Sequence, residues 1–218
     1  MCNLYNMTTN QEAIRRLFKV TIDNVGNLPP LPGIYPDYMA PVIHMSNSER
    51  ALSMMRWGMP NPPQFGGYST NIRNVKSPHW RRWMKPDNRC LVPVTSFSEY
   101  APTPNPATGK KDIVWFSLSE ERPLFAFAGI WSDWNGTRGT KANPVEGDHK
   151  LYGFLTTEPN AVVEPIHPKA MPVILHEDDW DKWLNAPAED AVRLQRPWPD
   201  DGLMIVKRGS DKNDEPGK

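Results

Sequence analysis

Long apolar runs, an excess of charge of one sign and clustered metal ligands are all missing from this 218-residue sequence. No stretch approaches the roughly 20 consecutive apolar residues that a membrane-spanning helix needs, so we expect no membrane partner. The first ten residues are polar and the segment after them carries charges without an apolar run, which predicts no signal peptide and a cytoplasmic location. Basic and acidic side chains number 25 each, and this balance excludes the broad electrostatic footprint of a general DNA-coating protein, although a small basic patch stays compatible with it.

Cysteine is scarce as well, with Cys2 and Cys90 as the two examples. In a reducing compartment we expect them to stay unpaired thiols. The five histidines form no ligand-spaced cluster with either cysteine, so the sequence predicts neither a metal site nor a cofactor. Cys90 stands between Arg89 and an apolar segment, and we expect it to be a small buried hydrophobic residue.

Proline, in contrast, is abundant: 24 prolines are scattered through the chain, about twice the average usage. This favours short elements joined by long loops over a helix bundle. With no internal repeat and no convincing linker, we predict a single α+β domain over residues 1–208. It would contain short, mostly antiparallel strands in a barrel-like sheet, a few flanking helices and long Pro-rich loops, followed by a disordered charged tail over residues 209–218.

The local patterns predict individual elements. An amphipathic helix over QEAIRRLF follows the polar cap Thr8–Asn10, and a short helix with an acidic start is expected over Asp178–Asn185. Strands are predicted at Val42–Met45, Arg89–Pro93, Phe97–Tyr100, Ile113–Leu118, Leu124–Trp131, Leu151–Thr157 and Leu203–Val206. The Gly/Asn/Lys-rich segment between Trp134 and Lys150 is expected to be a loop.

Cys2 is the first residue with distinctive chemistry. A small second residue favours removal of Met1, which would leave an α-amine and a thiol on the same residue, with ordinary pKa values of about 7.7–8.0 and about 8.5. Such an aminothiol can condense with an aldehyde to an imine and close to a thiazolidine. It can also act as an N-terminal nucleophile that cleaves an amide, with the amine as base.

Three further positions are candidates for acid–base or polar recognition roles. His167 is held between nearby prolines, as a proton-transfer group or a structural histidine would be. Glu99 follows a predicted strand among aromatics, where burial would raise its pKa and suit it to act as a general acid, whereas an exposed strand-end glutamate is the alternative. Asn71 and Arg73 share one face of an extended segment, which suits polar or phosphate recognition.

The order of short motifs along the chain is more specific than any one of them. The motifs are Met1–Tyr5 (MCNLY), Gly33–Pro36 (GIYP), Trp57–Pro60 (WGMP), Asn71–Arg73 (NIR), Arg89–Pro93 (RCLVP), Ser96–Tyr100 (SFSEY), Phe127–Trp131 (FAGIW), Leu155–Asn160 (LTTEPN) and Ile166–Leu175 (IHPKAMPVIL). Together they resemble the SOS-response-associated peptidase (SRAP) family, proteins that crosslink to abasic sites in single-stranded DNA. The resemblance extends over nearly the whole chain, from Met1 to Val206.

The resemblance implies a covalent mechanism centred on Cys2. Its amine would form a Schiff base with the ring-opened aldehyde of an abasic deoxyribose, and its thiol would close the thiazolidine. Asn71 would orient the Cys2 amine or the sugar, and Glu99 would shuttle the proton during ring opening and dehydration. His167 would assist proton transfer at the sugar hydroxyl and in reversal.

The resemblance also implies DNA contacts, with single-stranded DNA that contains abasic sites as the partner and a monomer as the working form. Arg73 would contact a backbone phosphate, and Thr156 a phosphate or sugar oxygen. Lys169 would stand in for a family arginine, while Trp57 and the Pro36 loop would line a groove that bends the DNA. Stacking of unpaired bases on aromatic side chains would then offset the missing net positive charge.

The chain departs from the family pattern next to Cys2 and next to His167. Leu4 replaces an arginine, Asn3 replaces a glycine, and one extra residue follows His167 before the Met171–Pro172 pair. Two alternatives to covalent capture therefore stay open. One is a Cys2-dependent peptidase or autoprotease, and the other is a non-covalent single-stranded DNA-binding protein.

Overall fold

The structure is a computed structural model that describes residues 2–214. Its strands are β1 (Tyr5–Met7), β2 (Ile22–Asp23), β3 (Leu31–Ile34), β4 (Met39–Ser46), β5 (Glu49–Trp57), β6 (Met59–Pro60), β7 (Tyr68–Ser69), β8 (Asn71–Ile72), β9 (Arg89–Val94), β10 (Ser96–Pro104), β11 (Lys111–Ser117), β12 (Phe125–Gly139), β13 (Pro144–Thr157), β14 (Met171–Pro172), β15 (Ile174–Leu175) and β16 (Met204–Gly209). The α-helices are α1 (Gln11–Leu17), α2 (Pro78–Arg81), α3 (Trp180–Asn185) and α4 (Ala188–Ala191). No helix in this part of the chain is long and apolar enough to span a membrane.

Two sheets organise the domain. The larger runs β14-β13-β12-β9-β4-β5-β2, and a parallel pairing of β13 with β5 closes five of its strands into a barrel. The smaller sheet runs β16-β11-β10-β1-β3. Most pairings are antiparallel, and the helices are short, so the predicted α+β class with a barrel-like sheet is confirmed.

Aromatic side chains fill the space between the sheets. Tyr5 packs edge-to-face against Trp57, Phe127 and Phe154, and every residue of β9 is buried. The β9–β12 pairing is close at Gly129, where an added Cβ would lie 2.7 Å from the Sγ atom of Cys90. Glycine is therefore needed in the FAGIW motif for the two strands to approach.

Several local expectations are confirmed. Helix α1 begins after Asn10, whose side-chain oxygen accepts a hydrogen bond of 2.9 Å from the Ala13 backbone N–H. Each predicted strand is present with shifted ends, and Cys90 is fully buried.

The predicted loop between Trp134 and Lys150 is wrong, because β12 and β13 continue through it as a paired hairpin. From Ser132 to Thr137 the exposure alternates between half-buried and exposed along β12, and Arg138 is buried. In this part of the hairpin, apolar and polar residues do not alternate along the sequence. Such alternation is the signal by which a strand is predicted from sequence.

The predicted disordered tail begins at residue 209, which is the last residue of β16. The structure also describes residues 210–214, and residues 215–218 lie outside the described part. Asp214 is fully buried, and its carboxylate accepts hydrogen bonds from Ser96 Oγ at 2.6 Å and Arg122 Nε at 2.9 Å. The Asn6 side chain also donates to the Asp214 carbonyl. A charged segment can be ordered when its carboxylate finds buried donors, and composition alone does not reveal such donors.

Candidate active site

Cys2 lies three residues before the start of β1 and is only 1% exposed. Its Sγ atom is 3.6 Å from the Leu4 carbonyl oxygen. Burial, and then the negative charge of Glu99, raise the pKa of the Cys2 thiol well above its usual value. At neutral pH the side chain is therefore a thiol, and nucleophilic attack by sulfur requires a base.

Asn71 joins Cys2 from a distant part of the chain. Strand β8 pairs in parallel with β13, opposite Phe154, and this places the Asn71 amide where it donates a 2.8 Å hydrogen bond to the Cys2 carbonyl oxygen. The same amide donates to Thr70 Oγ1 at 2.8 Å, and Thr70 in turn donates to Asn3 Oδ1 at 3.3 Å. The Asn71 Oδ1 atom is buried and accepts no hydrogen bond from the described residues, so it is an available acceptor beside Cys2.

Glu99 approaches the same residue from strand β10. The backbone N–H of Ser98 donates to the Leu4 carbonyl at 2.9 Å, and this register carries the next residue, Glu99, alongside the segment that precedes β1. The Glu99 side chain is 6% exposed, and burial raises its pKa from 4.5 to about 7. Both protonation states of this carboxyl group are therefore populated at neutral pH.

A cavity of about 480 Å³ opens beside Glu99. Its lining consists of Asn3, Leu4, Tyr35, Pro36, Tyr68, Thr70, Ser98, Glu99 and Tyr100. Pro36 is part of this lining. Leu4 supplies an apolar wall and belongs to a small hydrophobic cluster with Ile113 and Trp115. A second cavity of about 510 Å³ is lined by residues that include Lys19, Arg50 and Asp181. The first cavity, called the Glu99 cavity below, is the one beside the contact of Asn71 with Cys2, because Asn3 and Thr70 are part of its lining.

His167 lies on the loop before β14, and that strand pairs with β13, the neighbour of β8. Its Nδ1 atom is 2.9 Å from the Ala170 carbonyl oxygen and 3.2 Å from the Ala170 nitrogen. Burial lowers the pKa of the half-buried imidazole, which favours the neutral form able to accept a proton. Thr156 is 3% exposed on β13, opposite Pro172.

Arg73 and Lys169 lie together on the surface. The Arg73 guanidinium is 3.1 Å from Glu158 Oε2 and 3.5 Å from the Lys169 carbonyl oxygen. Both ion-pair partners are about half exposed or more, at 49% and 63%. Such a pair contributes little to stability, and its cation is accessible to an incoming phosphate.

Trp57 is the predicted DNA-contacting residue whose position the structure corrects. Its side chain is fully buried, stacks on Phe154 and donates from Nε1 to the Thr70 carbonyl at 3.1 Å. Because the ring is not exposed, it cannot stack on a base. It instead supports the backbone of Thr70, the residue next to Asn71.

Two residues that the sequence did not single out also position the site. Thr70 links Asn3 to Asn71, as described above. Gln195 donates from Nε2 to the Arg73 carbonyl at 2.8 Å and to the Thr156 carbonyl at 2.9 Å. Thr70 adjoins the NIR motif, which is a usable signal, whereas an isolated glutamine outside every motif gives none.

The sequence matches the model of the family described as SOS response associated peptidase (SRAP) over residues 1–210. Among relatives, the chain is 29% identical to the abasic site processing protein YoqW of Bacillus subtilis, covering 89% of this chain and 85% of that protein. It is 30% identical to the abasic site processing protein YoaM of the same organism, covering 73% and 68%. A solved structure of a Bacteroides thetaiotaomicron protein shares the fold with a TM-score of 0.73 at 20% identity, covering 94% of this chain and 90% of that one.

Proposed function

The chain belongs to the SOS response associated peptidase family, and from that premise we propose that it processes abasic sites in single-stranded DNA by forming a covalent adduct through Cys2. The relatives named as abasic site processing proteins support the substrate class. The observation that carries the proposal is the 2.8 Å hydrogen bond from Asn71 to the Cys2 carbonyl. The neighbours of these two residues in the chain, Asn3 and Thr70, line the same cavity as Glu99.

The proposed reaction requires hydrolytic removal of Met1, which frees the Cys2 α-amine. The amine nitrogen adds to the aldehyde carbon of the ring-opened sugar and gives a carbinolamine, whose hydroxyl group is protonated and leaves as water. Sγ then adds to the carbon of the resulting imine, the thiol proton passes to nitrogen, and a thiazolidine closes. One water is released, and no oxidant or reductant is needed.

Glu99 suits the proton transfers of this sequence. With a pKa raised to about 7 by burial, it supplies a proton to the departing hydroxyl group and accepts one from the attacking amine or thiol. The thiol needs such a base, because burial and the Glu99 charge keep Cys2 protonated at neutral pH.

The remaining site residues are assigned supporting roles. Asn71 orients the Cys2 backbone through the carbonyl and offers Oδ1 to the freed amine. Neutral His167 accepts a proton from the sugar hydroxyl during ring opening and returns it on reversal. Thr156 is only 3% exposed, so it is assigned no contact with the DNA strand.

The surface residues and the cavity rim would hold the DNA strand. Arg73 and Lys169 bind a phosphate beside the abasic sugar. Pro36 borders the cavity in which the sugar is held.

The test combines mass spectrometry with a denaturing gel. Protein whose Met1 removal has been verified is incubated with single-stranded DNA carrying one abasic site. We expect a heat-stable adduct whose mass equals the sum of both molecules less one water. Cys2→Ala should abolish it, and Cys90→Ala, a change at the other buried thiol, should retain it.

Each other outcome selects another function. Absence of the adduct, with Met1 demonstrably removed, refutes covalent capture. Cys2-dependent peptide cleavage without an adduct would establish the peptidase alternative. Salt-sensitive DNA binding without an adduct would leave a non-covalent binding protein.

A further inference from the structure

Tyr68 is a large aromatic residue at the rim of the site cavity. It lies on β7, opposite Pro60 of β6, and is 42% exposed. The side chain lines the Glu99 cavity and also a third cavity of about 200 Å³ under the β12–β13 hairpin, whose lining includes Arg138. One side of the ring therefore faces the β12–β13 hairpin, which supports it, and the other side is accessible from the site cavity.

The support of the ring is tightly built. The Cζ atom of Arg138 lies 4.3 Å from the centroid of the Tyr68 ring, a cation–π distance. Gly58 has a φ of +134°, and an added Cβ there would come within 2.5 Å of Tyr68 Cδ2 and 2.8 Å of Arg138 Nη2. Only glycine leaves room for the ring and the guanidinium together.

Arg138 itself is fixed. It is 7% exposed, with Nη2 at 2.6 Å from Asp37 Oδ1 and Nη1 donating to the Gly58 carbonyl at 2.6 Å. The Gly139 N–H adds a 3.0 Å hydrogen bond to Asp37 Oδ2. The hairpin thus holds the guanidinium in place, and the guanidinium holds the orientation of Tyr68.

We propose that Tyr68 is the stacking platform for the nucleobase adjacent to the abasic position. An abasic nucleotide has no base of its own, so its neighbour lacks a stacking partner on that side. Tyr68 lies three residues before Asn71, within about 10 Å of extended chain, and presents an exposed ring on the cavity side. The proposal rests on the proposed function and adds the part of the substrate that lies beyond the reacting sugar.

The stacking role suits a side chain that is already held in place. A base that stacks on Tyr68 immobilises no freely rotating ring, because Arg138 and Gly58 restrict it before DNA binds. The buried Trp57 cannot take this role. Arg138 is a positioning residue in this scheme, since it acts through Tyr68.

The experiment measures dissociation constants for single strands that contain a tetrahydrofuran abasic analogue, which has no aldehyde and therefore binds reversibly. One strand has ordinary bases on both sides of the analogue, and the other has further analogues there. For Tyr68→Leu we expect about a tenfold loss of affinity on the first strand and no loss on the second. Tyr68→Phe should bind both strands as the wild type does, and Tyr38→Leu, at a tyrosine that is 55% exposed outside the cavity lining, is the matched control.

An equal effect of Tyr68→Leu on both strands, or no effect on either, overturns the platform. The adduct assay on a true abasic strand separates this failure from failure of the proposed function. Adduct formation with no base-dependent effect of Tyr68→Leu refutes the platform alone. A base-dependent effect in a protein that forms no adduct refutes the covalent function alone.

Discussion

The side-chain amide of Asn71 donates a 2.8 Å hydrogen bond to the backbone carbonyl of Cys2, 69 residues earlier in the chain. This contact fixes the orientation of the Cys2 backbone, three residues before the start of β1. In the proposed chemistry, the reacting nitrogen belongs to that same residue. Its attack on an aldehyde therefore depends on a contact made from a different strand.

Asn71→Ala should slow adduct formation at saturating DNA by roughly 10- to 100-fold, because the reacting residue loses its orientation. Affinity for the tetrahydrofuran strand should change little. Single-turnover gel kinetics measure the first quantity and fluorescence anisotropy the second. Asn143→Ala, at the exposed hairpin turn, is the control, and an Asn71→Ala rate equal to that of the control would remove the orienting role.

Glu99→Gln should slow adduct formation by about 100-fold or more while leaving DNA binding nearly unchanged. In the wild type the rate should rise with pH as the amine loses its proton and fall as Glu99 ionises near its pKa of about 7. The variant has no such carboxyl group, so the falling limb should disappear. A pH–rate profile checks this, and a falling limb that persists in Glu99→Gln would assign it to another group.

Glu99→Gln should also stabilise the protein in alkaline solution. Burial raises the pKa of Glu99 from 4.5 to about 7 in the folded state, so the folded protein binds this proton more tightly than the unfolded chain does. Stability from this group is fully present below pH 4.5 and is lost as the pH rises through about 7. The unfolding free energy of the variant should therefore match the wild type at pH 4.5 and exceed it by up to roughly 3 kcal/mol at pH 8. Denaturant titrations at the two pH values measure the difference, and an equal difference at both would contradict the assignment.

Arg73→Ala and Glu158→Gln should change DNA affinity in opposite directions. The first removes a phosphate-binding cation, and the second removes the anion that lies 3.1 Å from it. Arg73→Ala should weaken binding and reduce the salt slope by about one, whereas Glu158→Gln should tighten binding. Anisotropy titrations over a range of salt concentrations measure both, and an unchanged slope in Arg73→Ala would rule out a phosphate contact.

Asp214→Ala should destabilise the fold, although it lies beyond the last strand. The change leaves the Arg122 guanidinium, which is 11% exposed, without its buried carboxylate, at a cost of about 3 kcal/mol. For a chain of this size, the thermal midpoint should fall by about 6–12 °C. Asp211→Ala removes an exposed carboxylate paired with Lys207 and should shift the midpoint by no more than about 2–4 °C. Equal shifts in both variants would contradict the structural role of Asp214.

The sequence by itself determined the elements whose signals are local. The side chain of Asn10 caps α1, the RCLVP run is a fully buried strand, and Cys90 is a buried free thiol. These follow from capping chemistry and from uninterrupted hydrophobicity, which are read within a few residues. The ordered motifs also identified the family and named Cys2, Asn71, Glu99 and His167 as candidates.

Only the tertiary structure decided how those candidates are arranged and which others matter. The pKa of Glu99 is raised by its burial in the folded chain, and the contact of Asn71 with Cys2 depends on the β8–β13 pairing. Trp57 lies in the core and Tyr68 at the rim of the site cavity. Both are aromatic residues near Gly58, Trp57 as its neighbour in the sequence and Tyr68 as its neighbour in the fold. Side-chain type is a local property, whereas burial, ion-pair support and the distance between strands are set by long-range packing, and no local pattern encodes them.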